Sequence, residues 1–395
     1  MPPASICIIS QYWEPDINGD VTRLRNAIDV LRSLGHRITL ITSVPHYPNG
    51  DRRGYRFRLF RIEKSEGLTV VRIDMPSIAH SGFGQRMLLY SWFAALSAFP
   101  TLVYGRTDYV WAFSQRVFST YTSLVAKLAW RTKIVTDLTD VWPEALANTG
   151  HARENSFRYR AANFVAEVAY RVSDRIATLT EPMRMLLVKR HGLDCDRVMV
   201  VPNSGVAHLP LRPDGHRQLV AVYYGNIGAN YDFEPIINLA GSMEGSLQVV
   251  LIGSGESLPQ VRQWVDERGL TNVEVTGRPM VGDDLWKAVG EADVLLLSMK
   301  KGPYPDASFP TKFVEYLSIG RPILYFGDGY PSALISKSGA GLASAAGDLA
   351  SARAYLESLA SRKDLRDTAG RRAEELGEKM FSRDRFAASL NSLFS

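Results

Sequence analysis

Apolar and polar positions alternate with two different periods along almost all of the 395 residues. In the first half, the short β-branched run SICIIS (5–10) is followed, after a polar loop, by VTRLRNAIDVLRSLG. There Leu24, Ile28, Leu31 and Leu34 share one helical face, and Gly35 closes the helix as a left-handed cap would. HRITLITS reads as the next strand, and DYVWAFS, KIVTDLT and DRIATLT as three more, each trailed by a helical stretch. Thr180 stands where an N-cap for EPMRMLLVKRHG belongs, with Pro182 in its first turn, and RVMVVPNSG ends the half. The second half repeats the rhythm with strands QLVAVYYGN, LQVVLIGSG, NVEVTG, ADVLLLS and RPILYFG, and closes on a helix, FSRDRFAASLNSLF, capped by Ser382.

Alternation of this kind predicts α/β architecture, with parallel sheets covered by helices on both faces. The polar, Pro- and Gly-bearing stretch AHLPLRPDGHRQ reads as a linker. The expected layout is a doubly wound domain over 1–206, a linker over 207–218 and a second doubly wound domain over 219–378. A tail over 379–395 would pack back on the first domain, and the two domains would face a cleft.

Composition narrows the picture only a little. An apolar share of 46% with 22% charged residues describes a folded globular chain. Two distant cysteines, Cys7 and Cys195, offer neither a disulfide framework nor a metal cluster, so a reducing compartment is expected. The opening MPPASICIIS lacks the pattern of a secretion signal. A net charge of +5 suits anionic ligands or surfaces, yet no basic run is dense enough for a nucleic-acid groove. One segment, MLLYSWFAALSAFPTLVY (87–104), is apolar for 18 positions. Its Pro100 and the strand following closely favour a buried or membrane-surface helix over a bilayer span.

In open parallel sheets ligands lie beyond the carboxyl ends of the strands, and three such places carry unusual residues. In SQYWEPDINGDVTRL, the Asn18-Gly19 pair would allow a tight turn and Asp20 would cap the helix, letting a phosphate or sugar approach. This is not the G-x-G-x-x-G dinucleotide fingerprint, which disfavours nicotinamide chemistry. In VTDLTDVWPEALANTG, Asp137, Asp140 and Glu144 surround Trp142 and Pro143. Such a set suits acid–base work or sugar hydroxyls, or merely caps the next helix. In SMKKGPYPDASFPTKFVEYLSIG, Pro310 or Thr311 opens a helix whose amides and positive dipole end would meet an anion such as a diphosphate. Lys312 adds a charge there, with Lys300 and Lys301 near. Glu315, one turn on, could accept two ribose hydroxyls; the plain alternative is a surface ion pair.

Taken in order, these segments resemble a known family. ISQYWEPDINGDVTRLRNAIDVLRSLGHRITLITSVPHYPNG, DLTDVWPEAL, VVPNSGV, YYGNIG, LIGSGE, VTGRP and FPTKFVEYLSIGRPIL are together similar to retaining glycosyltransferases of family four. Those enzymes have the two-Rossmann-domain GT-B architecture, and the likeness is strongest to those building bacterial surface polysaccharides, such as the N-acetyl-fucosaminyl transferases of O-antigen assembly. The resemblance implies a nucleotide-sugar donor, a UDP-sugar ahead of a GDP- or dTDP-sugar, and a reaction without metal or other cofactor. It implies that Glu315 holds the ribose, that Lys312 with Thr311 and the helix N-terminus holds the diphosphate, and that the Gly277-Arg278-Pro279 turn flanks the base. Asn226 and Gly253 fall in the matching glycine turns, and the Gly19–Asp20 loop would close over phosphate and sugar. Asp140, Glu144 and Lys312 are the residues expected to serve catalysis, the leaving phosphate taking the acceptor's proton.

Three positions depart from the family pattern. Ala307, beside Asp306, stands where many relatives carry the first glutamate; Thr139 replaces a histidine; and GNIGANYDFEP lacks the usual phosphate-site cation, for which Lys300, Lys301 or Arg278 would substitute. Two other readings share the fold. A nucleotide-sugar epimerase would need acid–base groups on both sugar faces, which the histidines do not cluster to supply. An inactive paralogue would act as a binding partner. The expected acceptor is a saccharide or a polyprenyl-diphosphate-linked sugar, met near residues 87–104 at the cytoplasmic membrane face, without nucleic acid.

Overall fold

The computed structural model of the chain describes residues 3–80, 82–113, 117–144, 147, 152–153, 156–205, 218–302 and 307–395. It divides into two compact units, one made of Met1–Asn203 with Asp384–Ser395, the other of Ser204–Arg383. The expected linker, Gln218 excepted, lies outside the described residues, as does Asp306.

The first unit is an eight-stranded sheet in the order β3-β4-β2-β1-β5-β6-β7-β8. Its strands are β1 (Ser5–Ile9), β2 (Arg37–Ser43), β3 (Phe60–Ser65), β4 (Leu68–Ile73), β5 (Tyr109–Ala112), β6 (Lys133–Leu138), β7 (Arg175–Thr178) and β8 (Val198–Val200). The helices are α1 (Gly19–Ser33), α2 (Phe83–Tyr104), α3 (Phe118–Trp130), α4 (Phe157–Val172) and α5 (Glu181–His191), and the terminal α13 (Arg383–Leu393) reaches this unit from Asp384 on. All pairings are parallel except that of β3 with β4. That hairpin adds one antiparallel edge pairing to a sheet that is otherwise parallel, as expected. Its outer strand reads FRIEKS, half of it charged, and escapes a search for apolar runs because it is an edge strand with one neighbour. β6 also stops at Leu138, so Asp137, Thr139 and Val141 do not continue one strand face.

The second unit has six parallel strands in the order β11-β10-β9-β12-β13-β14. These are β9 (Leu219–Tyr224), β10 (Leu247–Ile252), β11 (Val273–Val275), β12 (Val294–Ser298), β13 (Ile323–Phe326) and β14 (Gly341–Ser344). Its helices are α6 (Glu234–Ser242), α7 (Leu258–Glu267), α8 (Gly282–Gly290), α9 (Thr311–Ile319), α10 (Gly329–Ser338), α11 (Leu349–Ser361) and α12 (Lys363–Phe381). β12 and β13 are buried along their whole length, the mark of central strands covered on both faces.

One buried ion pair organises the first unit. Arg23 of α1 meets Asp137 of β6 through Nη2–Oδ2 (2.9 Å) and Nε–Oδ1 (3.3 Å). The guanidinium also donates to the carbonyls of Val201 and Pro202 and to Asn203 Oδ1. Phe386 of α13 lies over the same guanidinium, 5.8 Å from its carbon. Burial pushes the Asp137 carboxyl up while Arg23 pulls it down. Asp137 is thus a structural carboxylate that ties helix, strand and the chain leaving β8. Truncating it to Ala strands a buried cation, and a cost of about 3–5 kcal/mol in urea unfolding of this unit is expected. A loss below about 1 kcal/mol would mean that the guanidinium's carbonyl partners suffice without it.

Candidate functional site

The second unit's sheet changes direction between β9 and β12. From β9 the chain builds outward to β10 and β11; from β12 it builds the other way to β13 and β14. A crevice forms at such a switch point because neighbouring connections leave on opposite faces. Most of the residues expected to hold the donor come to this carboxyl edge.

β9 is followed by Gly225, whose φ of 120° only glycine adopts comfortably, and then by Asn226. β10 is followed by Gly253 (φ 145°), packed so closely that a Cβ there would collide with the Gly225 carbonyl. The Gly253 amide donates to Thr276 Oγ1 (3.2 Å), and that hydroxyl donates to the carbonyl of Arg278 (3.0 Å), joining the Gly277 turn to the same edge. The Arg278 side chain is exposed, as is Lys300 beyond β12. Lys301 is paired with Asp328 at 2.8 Å.

α9 opens directly after Pro310, which offers its amides no side-chain acceptor. Lys312 on its first turn is 8% exposed. Its Nζ sits 4.0 Å from the ring centres of both Tyr223 and Tyr231, donates to the Tyr223 hydroxyl and lies 3.5 Å from the Asn226 carbonyl. Burial pushes this amine well below its ordinary value, with Glu315 opposing. Glu315 is half-buried and accepts from the Tyr224 hydroxyl at 2.8 Å. Burial raises its carboxyl, the Tyr224 bond and Lys312 lower it. A surface ion pair is therefore excluded: amine and carboxylate face inward and each is held by a tyrosine.

The tyrosines escaped the sequence reading. Tyr223, Tyr224, Tyr231 and Tyr316 interlock at ring distances of 4.9–6.3 Å with Phe233 and Trp286. A signal was available, since a Tyr-Tyr pair ends an otherwise aliphatic strand and each buried hydroxyl must find a partner. The loop after β9 contributes Tyr231 to the cage around Lys312. Ala307 is buried.

In the first unit the residues behave differently. Asn18, not Asp20, caps α1, its Oδ1 accepting from Val21 N at 2.9 Å; Asn18 is extended, so no tight turn forms with Gly19, the first helical residue. Asp20 is half-buried on the first turn, where its charge reaches Tyr12 and Tyr47. Asp140 is half-buried just past β6. Glu144 is buried against Arg190 Nε at 2.5 Å. Trp142 is buried too, its backbone bonded on both sides to the Tyr170 hydroxyl, so it forms no open platform for a sugar.

The expectation that histidines do not cluster is corrected. His46 and His80 lie 5.0 Å apart beside Tyr12 and Tyr47, brought together by the loops after β1, β2 and β4. Burial drives His46 down to about 3 and His80 to about 4, so both are neutral at physiological pH. His46 is fully enclosed. Asp16 below them accepts from the amides of His46 and Tyr47, and burial raises it to about 6.

Comparisons with known proteins agree with this architecture. Residues 18–204 match the family described as Glycosyl transferase 4-like domain, and residues 213–376 match Glycosyl transferases group 1. The chain belongs to the glycosyltransferases. It is 23% identical over 348 residues to WcaI of Escherichia coli, named for glycosyl transfer in colanic acid biosynthesis, covering 82% of this chain and 84% of that protein. The fold is that of sucrose-phosphate synthase from Thermosynechococcus elongatus (TM-score 0.77, 14% identity, 99% and 98% of the two chains). It is also that of Anabaena HepE solved with UDP-glucose (0.68, 12%, 98% of each). Two α/β units with largely parallel sheets are thus the GT-B arrangement of this glycosyltransferase.

Two outcomes follow for the glycosyltransferase. Lys312→Met removes a desolvated amine while Tyr223 keeps its bond to the Asn226 carbonyl. The ligand-free calorimetric midpoint should rise by about 2–4 °C, the equivalent of about 1 kcal/mol in a unit of this size; a lower midpoint would mean a charged, stabilising amine. Asp16 protonates more readily folded than unfolded, so its contribution is present below its ordinary value near 4 and is lost as pH rises through about 6. Asp16→Asn should therefore gain stability relative to wild type as pH is raised from 4 to 7 in parallel urea titrations.

Proposed function

We propose that the chain moves a sugar, with retention, from a nucleotide-diphosphate donor to a saccharide or polyprenyl-diphosphate-linked acceptor in bacterial polysaccharide or glycolipid assembly. The carrying observation is the convergence of Lys312, Glu315 and Asn226 at the switch point of the second unit's sheet. A UDP-sugar is the donor of choice. The relative named for colanic acid biosynthesis and the neighbour solved with UDP-glucose support the reading.

In this scheme the diphosphate meets the first amides of α9 and the Lys312 amine. An arriving dianion supplies the countercharge that the tyrosine cage lacks and opposes the burial that pushes the amine down. Glu315, oriented by Tyr224, accepts the two ribose hydroxyls, while the Gly253 and Gly277 turns and Arg278 flank the base. Thr311 and Lys300 border the phosphates. The bond from the sugar's anomeric carbon to phosphate oxygen breaks, the acceptor oxygen bonds that carbon on the same face, and its proton passes to the departing phosphate. Stabilising that phosphate is the main catalytic contribution, made by Lys312 and fixed amides. Asp140 is the carboxylate we assign to acceptor hydroxyls; Glu144, held by Arg190, positions the loop that carries it. No metal is required in this scheme.

A thermal-shift screen with UDP-, GDP- and dTDP-sugars, followed by transfer to a polyprenyl-diphosphate-linked saccharide and NMR of the product anomer, tests the proposal. A midpoint rise with UDP-sugars and a product of the donor's own anomeric configuration are expected. Release of free epimer without acceptor would favour an epimerase, and tight binding without turnover an inactive partner protein. Glu315→Gln should weaken UDP-sugar binding roughly ten- to hundredfold, as losing a charge-assisted contact of about 1.5–3 kcal/mol implies.

A further inference from the structure

The first unit's sheet ends in an open edge. β3 pairs with β4 and with no other strand, in an unbroken antiparallel register from Phe60↔Ile73 to Ser65↔Leu68. The Asp74 amide donates to the Leu59 carbonyl at 3.2 Å, one step before that register. Bonded and unbonded pairs alternate along an antiparallel ladder, so the amides and carbonyls of Arg61, Glu63 and Ser65 turn toward β4. Those of Phe60, Ile62 and Lys64 turn outward, and among the described residues no other segment bonds them. Proteins blunt such edges with Pro, with a bulge, with a covering segment or with charge. β3 has neither Pro nor bulge, and Ile62 on it is 52% exposed. Charge is its protection, and that charge is self-complementary.

Two copies of one strand in antiparallel array are related by a twofold axis, and the position of that axis fixes every pair at once. Centred on Arg61, Glu63 or Lys64, the array sets like charge on like. Centred on Ile62, it sets Arg61 against Glu63 of the second copy at two symmetric places, Phe60 against Lys64, and Arg58 against Glu66. The backbone agrees with this register. Ile62 exchanges both hydrogen bonds with Ile62 of the second copy, and outward Phe60 meets outward Lys64.

A single copy leaves Arg61 without an acid. It stands directly opposite Arg72, an unfavourable pairing of like charges, and Arg72 Nε takes both Glu63 oxygens at 2.9 and 3.0 Å. Arg61 lies over the Tyr55 ring at 5.1 Å, and its buried Nε has no partner. The Glu63 side chain is still 39% exposed. In the register centred on Ile62, Arg61 and Glu63 of the second copy form an unbonded pair, where side chains stand closest. On the opposite face Phe60 lies 5.7 Å from Phe99, and the same pairing sets the two exposed Ile62 side chains together beside them. We infer that the chain forms a twofold dimer by antiparallel pairing of β3 with β3 of a second copy, centred on Ile62, joining two eight-stranded sheets edge to edge. One short strand pair buries less than the roughly 1,600 Å² of a standard interface, so the dimer exchanges reversibly with monomer. Nothing in this inference depends on the donor reading.

Sedimentation velocity of the full chain over a concentration series tests it. A monomer–dimer equilibrium that weakens as salt is raised is expected. Arg61→Glu and Glu63→Arg should each raise the dimer dissociation constant about tenfold or more, because each sets like charges opposite one another at both symmetric places. An equimolar mixture of the two variants should associate as wild type does, since each supplies the charge the other lacks. Ile62→Pro removes an outward amide and leaves the ladder to β4 intact, so it should abolish association while circular dichroism and the thermal midpoint stay near those of wild type. A chain that stays monomeric at every concentration, a dimer indifferent to these substitutions, or charge variants that remain apart when mixed would overturn the inference.

Discussion

A desolvated amine at the carboxyl end of a parallel sheet is the constraint around which the second unit is arranged. Lys312 reaches its position because α9 begins where β12 and β9 diverge, and it is held there by Tyr223 and Tyr231 rather than by a carboxylate in contact with it. Rings attract an ammonium through their quadrupoles, but burial opposes the charge and pushes the amine well below its ordinary value. That is a poor way to stabilise a fold and a good way to receive an anion. The glycines at 225 and 253 belong to the same design, because only backbone without Cβ lets β9 and β10 close this tightly beside the amine.

Buried charge is treated in opposite ways in the two units. Arg23 and Asp137 saturate one another, and the remaining guanidinium N–H groups find carbonyls and an amide oxygen. A fully satisfied network specifies structure and has nothing left for a ligand. Lys312 and Glu315 are each held by a single tyrosine hydroxyl and share a face, with the charge of each reaching the other. Perturbed groups in an incompletely satisfied pocket mark function more often than architecture. The contrast explains why three carboxylates near Trp142 looked promising in sequence: spacing does not distinguish a carboxylate already engaged from one that waits.

The helical layer of the first unit obeys a third rule. Hydroxyls of Ser97, Thr122 and Ser123 are turned inward, where helix carbonyls accept from them, and this leaves Leu128, Phe99 and Trp92 outside.

Much of this was legible from the residues alone. Most of the order of strands and helices, though not β14, the two-unit plan, the cap at Thr180 and the opening of α9 at Pro310 follow from local periods and backbone preferences, which act over a few residues and are written locally. Lys312 and Glu315 were visible for the same reason, since a helix start after a strand can be recognised without knowing the rest. The β3–β4 hairpin, the salt bridge from Arg23 to Asp137 across 114 positions, the meeting of His46 with His80, and the tyrosine cage from Tyr223 and Tyr231 were not. Each depends on which strand lies beside which, and therefore on the summed packing of a whole unit. Burial and partners decide whether a carboxylate or an amine is structural or available, and those are properties of the folded chain alone.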